Sequence, residues 1–247
     1  TVHVAAGTYG EQRIPVRGTP PTRAITFAGT GRTRPVIQGL EITGSRVVLR
    51  QLRILDSWVA QPSAHDVVFR GVSVAGGFYV NSASRISIIA GDVGPGRDVH
   101  AQIAASVPGR PPRSILIDGV RFHDFTRSSS DVHIECLQVG AGIGITIRRS
   151  RFERCDVFDL SFTSYNDGGT PTRILLEDDV FGSTGSGGFY SLFFASGSGL
   201  SWHDVTVRAS TFFQAIGFPD PDAVPVARFA LRGNAGVDGP ATCEPAK

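Results

Sequence analysis

The sequence has no methionine, a single lysine (Lys247) and only three cysteines among its 247 residues. Without Met even at position 1, and with no leader ahead of Thr1, the numbering is expected to describe a trimmed chain whose N-terminal cap is missing. The basic residues are otherwise all arginine, a compositional bias to which no function is attached. No run of like charges occurs and the formal net charge is +2, so nothing electrostatic points to a nucleic acid partner or a charged tail. No stretch approaches the ~18 consecutive apolar residues of a membrane span. Three cysteines cannot all pair within one chain, and Cys136 and Cys155 are too far apart for a CxxC knuckle. Together with Cys243 they are expected as buried or tail thiols rather than a disulfide framework.

What is abundant is glycine (30) and proline (15), in a chain that is 41% hydrophobic and 19% charged. That balance supports one domain, 1–247, with a real core, and favours an all-β chain with many turns. The octet Val47-Val48-Leu49-Arg50-Gln51-Leu52-Arg53-Ile54 has apolar residues at its first, third, sixth and eighth positions. Its pattern returns from Val67, Ile86, Ile115, Ile145, Ile174 and Val205, at first about 20 and later about 30 residues apart. Each copy reads as two short strands meeting at a bend, with no two-residue hairpin turn to reverse the chain. Copies must then pair in parallel, and a chain that turns corners before stacking on itself provides the long connection this needs.

The expectation is therefore a single-domain β-solenoid, preferred to a β-sandwich, which has no reason to repeat one octet. Val47, Val67, Ile86, Ile115, Ile145, Ile174 and Val205 should form one inward row, and Ile54, Val74, Val93, Phe122, Phe152, Phe181 and Phe212 another. The longer coils should carry loops at their corners, clustered on a binding face. The stretch 233–247 is expected as a C-terminal tail or cap.

The octets, together with the opening Val2-His3-Val4-Ala5-Ala6-Gly7-Thr8-Tyr9-Gly10-Glu11, resemble the right-handed parallel β-helix proteins of pectate lyase-like type, over most of the chain. The resemblance implies a right-handed helix, a secreted or cell-surface bacterial protein, and a polysaccharide or oligosaccharide partner. It does not name a reaction. The motifs of the polygalacturonases are absent, and only Asp178-Asp179 matches them even loosely. The pectate lyase motif set is not visible either.

A third apolar run follows most octets and carries the unusual residues: Asp98–Ile103, Asp131–Val139, Asp156–Phe162, Phe189–Phe194 and Val226–Leu231. Strict alternation puts Val132, Ile134 and Cys136 inside and Asp131, His133 and Glu135 outside. Matching Asp98 to Asp131 sets His100 beside His133 and Gln102 beside Glu135. The next coil fits with Phe158 beside Ile134 and Leu160 beside Cys136, which makes Asp159 the neighbour of Glu135. Two carboxylates that close cannot both ionise freely, so His133, Glu135 and Asp159 are the expected catalytic group. A separation of about 5 Å would suit a retaining glycosidase, and the diagonal to Asp131 an inverting one.

His100, Gln102, Asp131, Arg127, Tyr165 and Tyr190 are the expected substrate contacts, with Phe158 and Phe189 as further stacking rings. No cofactor is required on this reading. Asp131, Glu135 and Asp159 could supply oxygens to Ca²⁺, although no acid-rich loop supports it. Asp98, Asp131 and Asp156 also fit ordinary corner residues that accept backbone hydrogen bonds. His65-Asp66 and His203-Asp204 read as turns. The functional expectation is a monomeric lyase or glycoside hydrolase working in an outer groove, the alternatives being a non-catalytic carbohydrate-binding or adhesin module and a structural phage tail-type solenoid.

Overall fold

Each predicted inward row becomes a ladder. In the computed structural model, Val47, Val67, Ile86, Ile115, Ile145, Ile174 and Val205 are successive partners across parallel strands. So are Ile54, Val74, Val93, Phe122, Phe152, Phe181 and Phe212. The structure describes residues 1–16, 22–164, 168–182, 190–195, 200–218, 226–236, 239–240 and 243–245.

Three sheets result, and each circuit of the chain adds one strand to each. The first sheet has ten strands, from Val2–Val4 to Val226–Arg232. The second runs from Thr8–Tyr9 to Ala235–Gly236, onto which Gly239–Pro240 folds as the one antiparallel pair among the described residues. The third runs from Gln12–Ile14 to Cys243–Pro245. The fold is a right-handed parallel β-helix. Residues 233–245 thus contribute strands to the last circuit. Val226–Leu231, expected in the third run, instead forms the tenth strand of the first sheet, with Val205 opposite Phe229 and Val207 opposite Leu231.

The bend inside each octet is a single residue in the left-handed region. Gln51, Ala90, Arg149, Asp178 and Ala209 share it with Gly71, Gly119 and Gly233, all at φ between 51° and 63°. A second left-handed column, one residue before each member of the Val47–Val205 row and its continuation at Phe229, holds Arg46, Asp66, Arg85, Ser114, Arg173, Asp204 and Arg228. His65-Asp66 and His203-Asp204 belong to it, so Asp66 and Asp204 are conformational corners that pair with Arg85 and Arg228.

The core is one continuous stack of buried side chains. Phe122, Phe152, Phe181 and Phe212 lie face to face at centroid spacings of 4.8, 5.0 and 4.7 Å, following the strand repeat. Cys136 and Cys155 are buried and joined in a disulfide, with Cα atoms 5.4 Å apart. The expectation of free thiols fails for this pair, because the second-sheet strand of the next circuit, Arg151–Cys155, ends beside residue 136 of the third sheet. Among the described residues, no helix is long and apolar enough to cross a membrane.

The longer circuits place their extra residues on both flanks of the third sheet. Residues 105–112 follow one of its strands, the described residues 163–164 and 168–171 follow another, and 127–134 precede one.

Candidate active site on the outer face of the third sheet

Strand Glu135–Val139 sits between Ala101–Ala104 and Phe158–Phe162. Its register differs from the expected one by three residues on the first side: Ala101 faces Leu137 and Gln102 faces Gln138. Gln102 therefore donates to Gln138 at 2.8 Å and does not adjoin Glu135. On the other side Glu135 faces Phe158 and Leu137 faces Leu160, so Asp159 lies level with Cys136. The reason is that two successive residues turn inward here. Cys136 and Leu137, Asp159 and Leu160, and Ser191 and Leu192 are all fully buried side by side.

The expected Glu135–Asp159 carboxylate pair consequently does not form. Asp159 lies in the interior, with neither oxygen in a well-formed hydrogen bond. Burial pushes its carboxyl far above the usual carboxylate range, and nearby Ser191 offsets this only in part. A neutral acid is what such a site tolerates. Asp131, Glu135 and Asp159 likewise do not converge as a set of oxygens for Ca²⁺. Among the described residues no group of three or more His, Cys, Asp or Glu side chains is placed to hold a metal ion.

Glu135 and His133, by contrast, do meet. The loop ahead of the strand lays His133 over the carboxylate, and His133 Nδ1 lies 2.9 Å from Glu135 Oε1. Glu135 is 2% exposed at its side chain and His133 61%. A buried carboxylate thus orients an imidazole whose other nitrogen is left for solvent or substrate. The hydrogen bond from Glu135 is the main reason that the His133 pKa is raised, burial and the Arg127 guanidinium opposing it. His100 reaches the same cluster through the preceding loop. Burial lowers its pKa, while Glu135 and a hydrogen bond to Gln138 pull it back up. The two imidazoles around one carboxylate are therefore pushed apart in proton affinity, an arrangement common to acid–base sites.

An aromatic shelf adjoins this cluster. Phe158 meets the His133 ring edge-on at 5.3 Å and stacks on Phe193 at 4.5 Å, with Tyr190 beside both. These rings form a cluster separate from the core, together with Val157 and Ala215. Gly217 makes room for them, since a Cβ there would stand 2.9 Å from ring atoms of Phe193 and Tyr190. Phe193 and Gly217 were not singled out from the sequence. The row Gln102, Gln138, Ser161, Phe193, Gly217, which register places on the outer face, is the signal that would have found them.

The remaining expected residues divide. Arg127 Nη1 donates to Ser130 O at 3.2 Å, holding the loop that carries His133. Asp156 accepts from the Arg127 backbone N at 2.8 Å, and Asp98 from Ser128 N at 2.7 Å, so both are corner acceptors. Asp131 is exposed and accepts from Ser130 Oγ. Tyr190 lies in the shelf. Tyr165 and Phe189 lie outside the described residues.

No family model and no curated protein matches the chain. Among solved structures, the A-module of the Azotobacter vinelandii mannuronan C-5 epimerase AlgE6 is similar at 12% identity and a TM-score of 0.32, over 97% of this chain and 91% of that one. At that level the likeness bears on neither activity nor site.

Proposed function

We propose that the protein is a secreted enzyme that cleaves an acidic polysaccharide laid across the outer face of the third sheet, by elimination. The observation that carries this reading is the exposed His133 held by the buried Glu135 beside the Phe158–Tyr190–Phe193 shelf. Hydrolysis with two carboxylates is disfavoured because Asp159 is buried and leaves Glu135 without an acidic partner across the groove among the described residues.

In the elimination, neutral His133 takes the proton α to a uronate carboxylate. The released electron pair forms the C=C bond as the bond to the glycosidic oxygen breaks, and His133 returns the proton to that oxygen. Glu135 steadies the imidazolium formed in between. Arg127, whose charge is felt at His133, would neutralise the uronate carboxylate, making the α proton more acidic. The aromatic shelf stacks on sugar rings. A buried disulfide suits the oxidising, extracellular setting of this reading.

The test is a panel of uronans and neutral glycans in which C=C absorbance and reducing ends are followed together. Elimination produces both signals from a uronan, and Glu135→Gln lowers the rate by roughly 10²–10⁴-fold with an unchanged melting curve. Because the raised pKa of His133 must be passed before it becomes a base, the wild-type rate should climb with pH above 6.5. Residual activity in Glu135→Gln should show that limb shifted to lower pH. Reducing ends without C=C absorbance would make the protein a hydrolase. Binding without either signal would make it a carbohydrate-binding module.

A further inference from the structure

The first sheet presents an outer face with a different character, flat and rich in arginine. Outward positions on either side of its central row carry nine arginines and four carboxylates, on a chain whose formal net charge is +2. Arg46 and Arg85, with Asp66 between them, border a shallow depression of about 430 Å³ floored by Val48, Val68 and Ser87, and Arg50 and Arg70 stand at the far end of the same strands. At the other end Arg173, Arg208, Arg228 and Arg232 surround one of about 750 Å³ floored by Leu175, Thr206 and Ala230.

Every carboxylate on this face is already engaged. Asp66 pairs with Arg85 at 2.5 Å, Asp204 with Arg228 at 2.7 Å, Asp118 with Arg148 at 2.9 Å and Arg149 at 2.6 Å, and Glu177 with Arg208. Arg50, Arg70, Arg173 and Arg232 have no carboxylate partner among the described residues. Two of them, Arg50 and Arg70, are direct neighbours in register, as are Arg208 and Arg232. Like charges one strand spacing apart, about 4.8 Å, repel unless an anion lies between them.

We propose that this face is a second binding surface, separate from the His133 site, for a polysaccharide that carries carboxylates along its length. Arginines without a carboxylate partner among the described residues stand towards both ends of the sheet, Arg50 and Arg70 at one and Arg173 and Arg232 at the other, with ion-paired positions between, so a polymer running along the helix axis meets uncompensated positive charge at each end. The floor between the rails is aliphatic and hydroxyl-bearing, matching the C–H and O–H edges of sugars. No aromatic side chain lies on that floor among the described residues, which disfavours a single-stranded nucleic acid, whose bases need stacking partners. The ligand class rests on the reading of a polysaccharide-active protein. The surface would hold a long uronan while the cleft on the third sheet acts on another part of it.

The test is binding of polygalacturonate, polymannuronate and a neutral glucan by calorimetry at two ionic strengths. It compares the wild type with a fourfold variant, Arg50→Gln, Arg70→Gln, Arg173→Gln and Arg232→Gln. These exposed side chains leave the core intact, so the unfolding midpoint should stay unchanged. The polyuronates should bind the variant roughly tenfold or more weakly, and salt should weaken the wild type towards the variant. Turnover of a short oligouronide that fills only the His133 site should be unaltered, while KM for the polymer rises. Failure of the elimination reading shows as absent C=C product in the wild type and leaves the binding comparison intact. Equal polyuronate affinity in variant and wild type would overturn the proposal. So would tighter binding of a DNA oligonucleotide or of phosphatidylserine vesicles than of either uronan.

Discussion

Two parts of the solenoid obey different rules. In the first and second sheets one residue per position faces inward, and the rows are mostly aliphatic or phenylalanine, Cys155 opposite Phe125 and Tyr9 opposite Ile37 being exceptions. In the third sheet two adjacent residues turn inward at 136/137, 159/160 and 191/192, which buries Asp159 and Ser191 and leaves Glu135 under His133. The regular rows hold the stack together. Where the rule changes, polar groups are trapped at a cost, and the acid–base cluster lies beside them. A third kind of position lies between these: Ser150, Asp179, Ser210 and Asn234, a polar ladder just past the left-handed corner, each accepting a backbone N–H from the preceding circuit.

The contrast breaks most severely at the phenylalanine stack. Phe152 is fully buried between Phe122 and Phe181, so Phe152→Ala should cost about 3–5 kcal/mol in denaturant unfolding, with Phe152→Leu costing much less. If the variant lost less than about 1 kcal/mol, the row would not be the main support of the fold.

Asp179 sharpens the contrast from the polar side. Its Oδ1 accepts from Ser150 N at 2.8 Å, but Oδ2 is buried without a partner, and burial pushes its pKa up to about 7. The folded protein then binds this proton more tightly than the unfolded chain. The contribution to stability is full below the unfolded value near 4 and falls away as pH rises through about 7. Over that window the loss is on the order of 4 kcal/mol at most. Asp179→Asn keeps the acceptor for Ser150 and should be the more stable protein at pH 8 and nearly equal to wild type at pH 4. Parallel stability curves for the two proteins across that range would show that the carboxyl is not held neutral.

Removing the Cys136–Cys155 link should come next. The bridge spans 19 positions, and a loop of that size is worth about 3 kcal/mol through the unfolded chain. Cys136→Ala with Cys155→Ala should lower the urea midpoint accordingly. Both cysteines are fully buried, so reductant should act on the wild type only under unfolding conditions. Rapid reduction of the native protein would show that the third sheet opens where the inward pairs sit.

The same contrast explains what the sequence revealed. The two inward rows were legible because aliphatic and aromatic residues have one acceptable side of a parallel strand, so matching Val47 to Val67 fixes the register without further information. In the third sheet, Asp98-Val99-His100 and Asp131-Val132-His133 match in sequence and not in register, because these tripeptides lie in loops and carry no register constraint. Leu137, Leu160 and Leu192, which do align, were the better guide. His133 and Glu135 were found as neighbours because an i, i+2 pair needs no register at all. Asp159 could not be placed, because a local departure from alternation reverses a side chain without any mark in composition. The Cys136–Cys155 link needed the same missing register.

The smallest expected effect isolates the corner itself. Ala209 and Gly119 occupy equivalent left-handed corners, at φ 53° and 63°. A Cβ on Gly119 would meet nothing within 4 Å, so Gly119→Ala tests backbone conformation with no packing change. A non-glycine residue in this region costs about 1 kcal/mol, partly offset by the entropy that glycine loses on folding. Ala209→Gly should therefore stabilise, and Gly119→Ala destabilise, by about 0.5–1 kcal/mol each, as mirror images in urea titrations. Two shifts of the same sign would mean that neighbouring strands, and not the dihedral preference of the corner residue, set the energy of the bend.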